Sequence, residues 1–133
     1  MKKTLFLVRV WLFACSPVVF SQAAQEKTYS FQSLEDEVTL QVERNGAEVK
    51  LRLFIKDITQ YDHLLVERSA ETPKYFGKCR YISSAEVKPV NGYLLQYDRY
   101  PYASNKDVYY RIKTVTKDGV ERIYPPVLLP ALQ

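Results

Sequence analysis

The chain has 133 residues, with 19 Lys and Arg against 15 Asp and Glu and two cysteines. That length is one domain's worth and is enough to bury a core without covalent staples. Lys2, Lys3 and Arg9 fall in residues 1–23, which hold no acid; the rest is nearly neutral, 16 cations against 15 acids, and lacks the concentrated basic footprint of a nucleic-acid binder.

The first segment reads as an address and not as fold. Lys2 and Lys3 are followed by an apolar run from Leu5 to Phe20, broken by Arg9, and then by Ser21-Gln22-Ala23. Basic, apolar and small, in that order, is an export signal, and cleavage is expected after Ala23. The run is too short and interrupted for a membrane span. Leu12-Phe13-Ala14-Cys15 offers an alternative, a lipoprotein box in which Cys15 becomes the lipidated first residue. Phe13 is bulky for that motif, and Pro17 to Phe20 stay apolar where a lipoprotein turns polar. Cleavage after Ala23 leaves Cys79 alone, so no internal disulfide is expected. The location expected is periplasmic or at the cell surface.

Residues 24–36 are polar and are expected to be a leader, with the domain spanning 37–133. From there, apolar residues recur with period two, the mark of strands with one buried face. Val38, Leu40 and Val42 alternate with polar residues, as do Val49, Leu51, Leu53 and Ile55. Asn45-Gly46 between them predicts a two-residue hairpin loop pairing Val42 with Val49, Leu40 with Leu51 and Val38 with Leu53. Further strands are expected at 63–68, at 75–82 and, after the turn pair Asn91-Gly92, at 93–98. Val108, Tyr110, Ile112 and Thr114 form another inward row. A turn at Asp118-Gly119 is then expected to set Thr114 against Ile123, Tyr110 against Val127 and Val108 against Leu129. Pro125 and Pro126 break ladder hydrogen bonds, so that last strand is an edge or bulges. About seven short strands in some hundred residues predict an all-β sandwich.

Val66-Glu67-Arg68-Ser69, a following strand near Phe76, and Tyr109-Tyr110-Arg111-Ile112-Lys113 running into Asp118-Gly119 resemble fibronectin type III-like, immunoglobulin-like modules of exported Bacteroidetes proteins. The resemblance covers about residues 37–129. It implies a sandwich and a noncatalytic role, and it supplies no functional residues, because the shared positions are core and turn positions. Such modules often precede a C-terminal sorting domain, and none is expected after the last strand.

Catalytic chemistry finds little to work with. His63 is the single histidine, where triads and most zinc sites need partners for it. Cys79 sits in a strand pattern and is expected to pack. Glu35-Asp36-Glu37 is the densest acidic run, but its spacing matches no calcium loop. No metal, cofactor or enzyme activity is expected. The informative excess is tyrosine, with Tyr93, Tyr97, Tyr100, Tyr102, Tyr109 and Tyr110 crowded together. Tyrosine packs well in sheets, and it also gives contact area at low entropic cost in binding surfaces. Tyr100-Pro101-Tyr102 in an expected loop, with Tyr109, Arg111 and Tyr124 on the outer face, are the candidate binding residues. The function expected is protein–protein interaction, with a larger envelope or surface protein as partner; the alternative is a carbohydrate-binding module using the tyrosine surface.

Overall fold

A computed structural model describes residues 27–33 and 38–132. The expected export signal and its expected cleavage site, Cys15 and Glu35-Asp36-Glu37 lie outside the described residues. Among the described residues nine strands follow one another: β1 (Thr28–Ser33), β2 (Val38–Asn45), β3 (Glu48–Ile55), β4 (Tyr61–Ala70), β5 (Gly77–Ser83), β6 (Tyr93–Asp98), β7 (Val108–Thr116), β8 (Glu121–Ile123) and β9 (Val127–Leu129). A single 3₁₀ turn at Ile58–Gln60 joins β3 to β4.

The strands form two antiparallel sheets. One has the order β1-β2-β3-β6; the other has β9-β7-β4-β5, with β8 also on β7. The chain crosses between sheets after β3, after β5 and after β6. Alternation puts one face of each strand inward, and Val38, Leu40, Val42, Leu51, Leu53, Leu64, Val66, Val108 and Ile112 are all essentially without solvent contact. Among the described residues no helix is long and apolar enough to cross a membrane. The protein is an all-β sandwich, as its hydrophobic alternation predicts.

The register of the first hairpin corrects the expected one. Val42 faces Leu51, Leu40 faces Leu53 and Val38 faces Ile55, two positions away from the expected pairs. Asn45 closes the ladder opposite Glu48, and the turn residues are Gly46-Ala47. Gly46 has φ 64° while Ala47 does not share the positive φ, which is the II′ pattern with glycine first. A displacement of two keeps the parity, so the same face stays buried.

The 28–33 segment is also corrected. It is no leader: it pairs along its whole length with β2, Tyr29 opposite Val42 and Phe31 opposite Leu40. Tyr29 and Phe31 pack against the core, and two aromatics in a polar setting were enough to make an edge strand.

In the last hairpin, Tyr110 faces Val127 and Val108 faces Leu129, as expected. Ile123, however, faces Lys113 and not Thr114. The turn holds three residues, closed by the Gly119 N–H on the Thr116 carbonyl at 2.9 Å, a geometry that shifts the pairing by one. The extra residue is absorbed at Pro125-Pro126, between the Tyr124 N–H on the Ile112 carbonyl and the Val127–Tyr110 pair. The expected interruption is there, and it restores the register beyond it.

Candidate functional site

Strand ends decide what gathers where. Ala70 pairs with Val108 and Val49 with Asp98. The 71–76 loop, the Gly46-Ala47 turn and the 99–107 loop therefore share one end of the sandwich. Cross-links tie them together. The Glu71 N–H donates to the Asp107 carbonyl at 2.8 Å, Arg99 pairs with Glu48 at 2.8 Å, and the Leu132 N–H donates to the Ser104 carbonyl at 2.8 Å.

At the centre of this end lies a buried charge cluster. Arg68, Asp98 and Tyr110 continue the inward rows of β4, β6 and β7, past the last apolar positions Val66 and Leu94. Asp98 is 4% exposed. Its Oδ2 accepts from Arg68 Nη1 and, at 2.8 Å, from the Tyr110 hydroxyl. Burial works against the Arg68 charge, but the hydrogen bond and the charge of Asp98 outweigh it and raise its pKa. The Tyr110 hydroxyl is pushed well above the usual phenol range, first by burial and then by the Asp98 charge.

The cluster clamps the backbone of Tyr100 on both sides. The Tyr100 N–H donates to Asp98 Oδ1 at 3.3 Å, and the Tyr100 carbonyl accepts from Arg68 Nη1 at 3.0 Å. The Tyr100 ring is nevertheless 85% exposed. It divides two clefts, one towards Arg44 and Glu48 on the first hairpin, the other towards Lys78, Cys79 and Arg80 on β5. A held backbone with a projecting aromatic is pre-organised contact area: the backbone is already ordered before binding, and a tyrosine has only two side-chain torsions left to fix.

The other candidates divide. Tyr102 is on the same loop with the Arg68 guanidinium 4.6 Å from its ring centre. Tyr109 and Arg111 are half-buried on the outer face of β7; Arg111 bonds Glu67 at 2.8 Å and lies 3.9 Å from the Phe76 ring centre. Tyr124 is not on the outer face: it is 3% exposed, packed 6.0 Å from Phe31, because the altered hairpin register turns its side chain inward. The cluster of Arg68, Asp98 and Tyr110 escaped the sequence reading. Its signal was charge at inward parity, two positions beyond Val66 and four beyond Leu94.

Cys79 packs against the core at the bulge beside Val66 and Glu67. Burial, then the Asp98 charge, pushes its thiol up to about 12. His63 bonds Asp62 at 2.7 Å and meets Tyr81 edge-on, opposite Ser83 and away from that bulge. A thiol reagent at about pH 8 is expected to label folded Cys79 at least tenfold more slowly than the unfolded chain. The unfolded thiol ionises near its ordinary 9.0 while the folded one stays protonated. The unfolded state thus binds fewer protons, and stability falls as pH rises through 9 and beyond. A Cys79→Ser variant is expected to lose less melting temperature over that range.

No protein-family model matches the chain, and neither a curated protein nor a solved structure shows significant similarity to it.

Proposed function

We propose that this chain is an exported, noncatalytic module, fibronectin type III-like in kind, that binds another protein of the cell envelope or surface through the loop around Tyr100. The observation that carries the reading is the clamp on the Tyr100 backbone beneath an exposed ring. Aromatic anchors at the centre of a contact, set on a fixed support, supply most of the binding free energy in protein interfaces. The strand order, in which both sheets are assembled from distant segments, supports the sandwich implied by the resemblance. The protonated Cys79 and the Asp62-bound His63 lie apart and offer no activated nucleophile, which favours a binding role.

Carbohydrate binding is the second reading, favoured by Tyr75 and Tyr100, both more than four-fifths exposed. It ranks below the first because guanidinium groups cover neighbouring rings, Arg68 at Tyr102 and Arg99 at 5.6 Å from Tyr97. Sugar stacking needs those faces.

The test is crosslinking in the native cells followed by mass spectrometry. The affinity tag goes between Asp118 and Gly119, in the hairpin loop at the far end from Tyr100. One dominant envelope protein is expected, its capture falling at least about tenfold in Tyr100→Ala,Tyr102→Ala at unchanged melting temperature. Capture that survives both changes removes the loop from the interface. Capture of glycan and no protein moves the assignment to the second reading.

A further inference from the structure

β6 is an edge strand, paired on one side with β3. The direction of its backbone groups follows from one bond. The Ile55 N–H donates to the Gly92 carbonyl at 3.1 Å, so positions 55 and 92 form a hydrogen-bonded pair of the ladder. Alternation then makes Leu53–Leu94, Leu51–Gln96 and Val49–Asp98 the bonded pairs. Tyr93, Leu95 and Tyr97 thus direct their N–H and C=O groups away from β3. Those of Tyr93 are taken by Val90, in two bonds of 3.0 and 2.9 Å. Those of Leu95 and Tyr97 face outward, two donors and two acceptors in a row.

Exposed edges are normally guarded. β5 has a bulge flanked by Lys78 and Arg80, and the β8–β9 edge has Pro125-Pro126. Between Tyr93 and Tyr97 the β6 edge carries no charge, proline or bulge of its own, and Leu95 is 49% exposed.

The surroundings of this edge are cationic. Arg52 lies beside Leu95 on β3 and donates to the neutral Gln41 Oε1 at 3.4 Å. Arg80 on β5 donates to the neutral Gln96 Oε1 at 3.1 Å. Lys78 and Lys88 flank the strand on either side, and among the described residues none of these four is ion-paired. The nearby acids are Glu86 in the β5–β6 loop, Glu43 opposite Lys50, Glu67, which lies opposite Lys78 and is bonded to Arg111, Glu48, which is bonded to Arg99, and Asp98, which is bonded to Arg68 and Tyr110. Alongside runs an open groove of about 780 Å³ lined by Val87, Lys88, Val90 and Leu95.

We infer that the β6 edge takes up an extended, carboxylate-bearing segment of another protein as an added strand, its backbone on Leu95 and Tyr97 and its acids among Arg52, Lys78, Arg80 and Lys88. Main-chain bonds give such an addition its affinity, and the flanking charges give it selectivity. This surface lies on the flank of the sandwich and does not depend on the Tyr100 ring.

The probe is a fluorescent octapeptide of alternating valine and glutamate, added to the full chain, with a valine–lysine peptide as comparison. Binding of the acidic peptide is expected, at least about tenfold tighter than the basic one and weakening as salt screens the charges. Amide exchange is expected to slow at Leu95 and Tyr97 and to stay unchanged at Leu94 and Gln96. Leu95→Pro deletes the outward N–H and spares the β3 ladder; it is expected to lose the peptide. Lys78→Glu,Lys88→Glu reverses two of the flanking charges at side chains that make no hydrogen bond to β6, with the same loss expected at unchanged melting temperature. Tyr100→Ala is expected to bind the peptide normally. Absence of binding, equal binding of both peptides, or binding indifferent to the charge reversal would overturn the assignment. So would a concentration-dependent dimer with Leu95 and Tyr97 already protected, which gives the edge to a second copy of the chain.

Discussion

Ile112→Asp is expected to leave the chain unfolded at 25 °C. Ile112 is 1% exposed, opposite Val66 in the middle of the five-stranded sheet. Its carbonyl receives the Tyr124 N–H at 3.0 Å, so the position also anchors the last hairpin. A carboxylate there meets no cation, and protonation relieves its burial only by leaving a polar group without partners. Added to the lost aliphatic packing, this costs several kcal/mol, a large part of the about 5–15 kcal/mol that holds a domain of this size. Circular dichroism and amide chemical-shift dispersion read the result. Lys113→Gln, one residue on and facing outward, is the control; it gives up only the 3.3 Å ion pair with Glu121 and is expected to cost about 1 kcal/mol or less. A native melting temperature for the Ile112 variant would mean that β7 does not face the core as described.

Asp98→Ala is expected to cost about 3 kcal/mol, the lower end for a broken buried ion pair, because the Arg68 side chain keeps 23% of its surface in water. The change strands a guanidinium, the Tyr110 hydroxyl and the Tyr100 N–H together. Pairing it with Arg68→Met, which removes the stranded cation, is expected to recover part of that loss, since an apolar replacement of both partners avoids the uncompensated charge. Urea denaturation of the two single variants and the double variant gives the coupling. Additive losses would show that the pair acts as two independent side chains. The single variant is also expected to loosen the 99–107 loop, read as faster amide exchange at Tyr100.

Much of the sandwich was legible because hydrophobic alternation and turn chemistry point the same way. Asn91-Gly92 illustrates this: both residues have positive φ, 54° and 84°, and lead into β6 at Tyr93. Where turn chemistry is ambiguous, pairs were misplaced. Asn45-Gly46-Ala47 admits two loops that bury the same face, so the pattern could not separate registers two apart. The Asp118-Gly119 turn took one more residue, and that residue carried Tyr124 from an expected surface into the core. Local pattern also understates edges: β1 carries only Tyr29 and Phe31 as apolar content, and it is held by its partner β2 more than by its own preference. The candidate site was half legible. The tyrosine-rich loop could be seen, but its support is three polar residues from strands far apart in sequence, which resemble ordinary strand ends until the ladders align them.

The pairing of β6 with β3 has a kinetic side. β1, β2 and β3 form a local meander, and β7 finds β8 across a three-residue loop; both can form early. β6 must wait. Its ladder with β3 closes over β4 and β5, and it is completed only when loop-closure entropy for that whole stretch has been met. A strand with an unguarded edge is thus also among the last to be covered, and Tyr93-Leu94-Leu95-Gln96-Tyr97 stays open to intermolecular pairing while the chain folds. Crowded, slow refolding should therefore yield aggregates seeded at β6, and a single lysine at position 95 should suppress them more than it alters the finished fold.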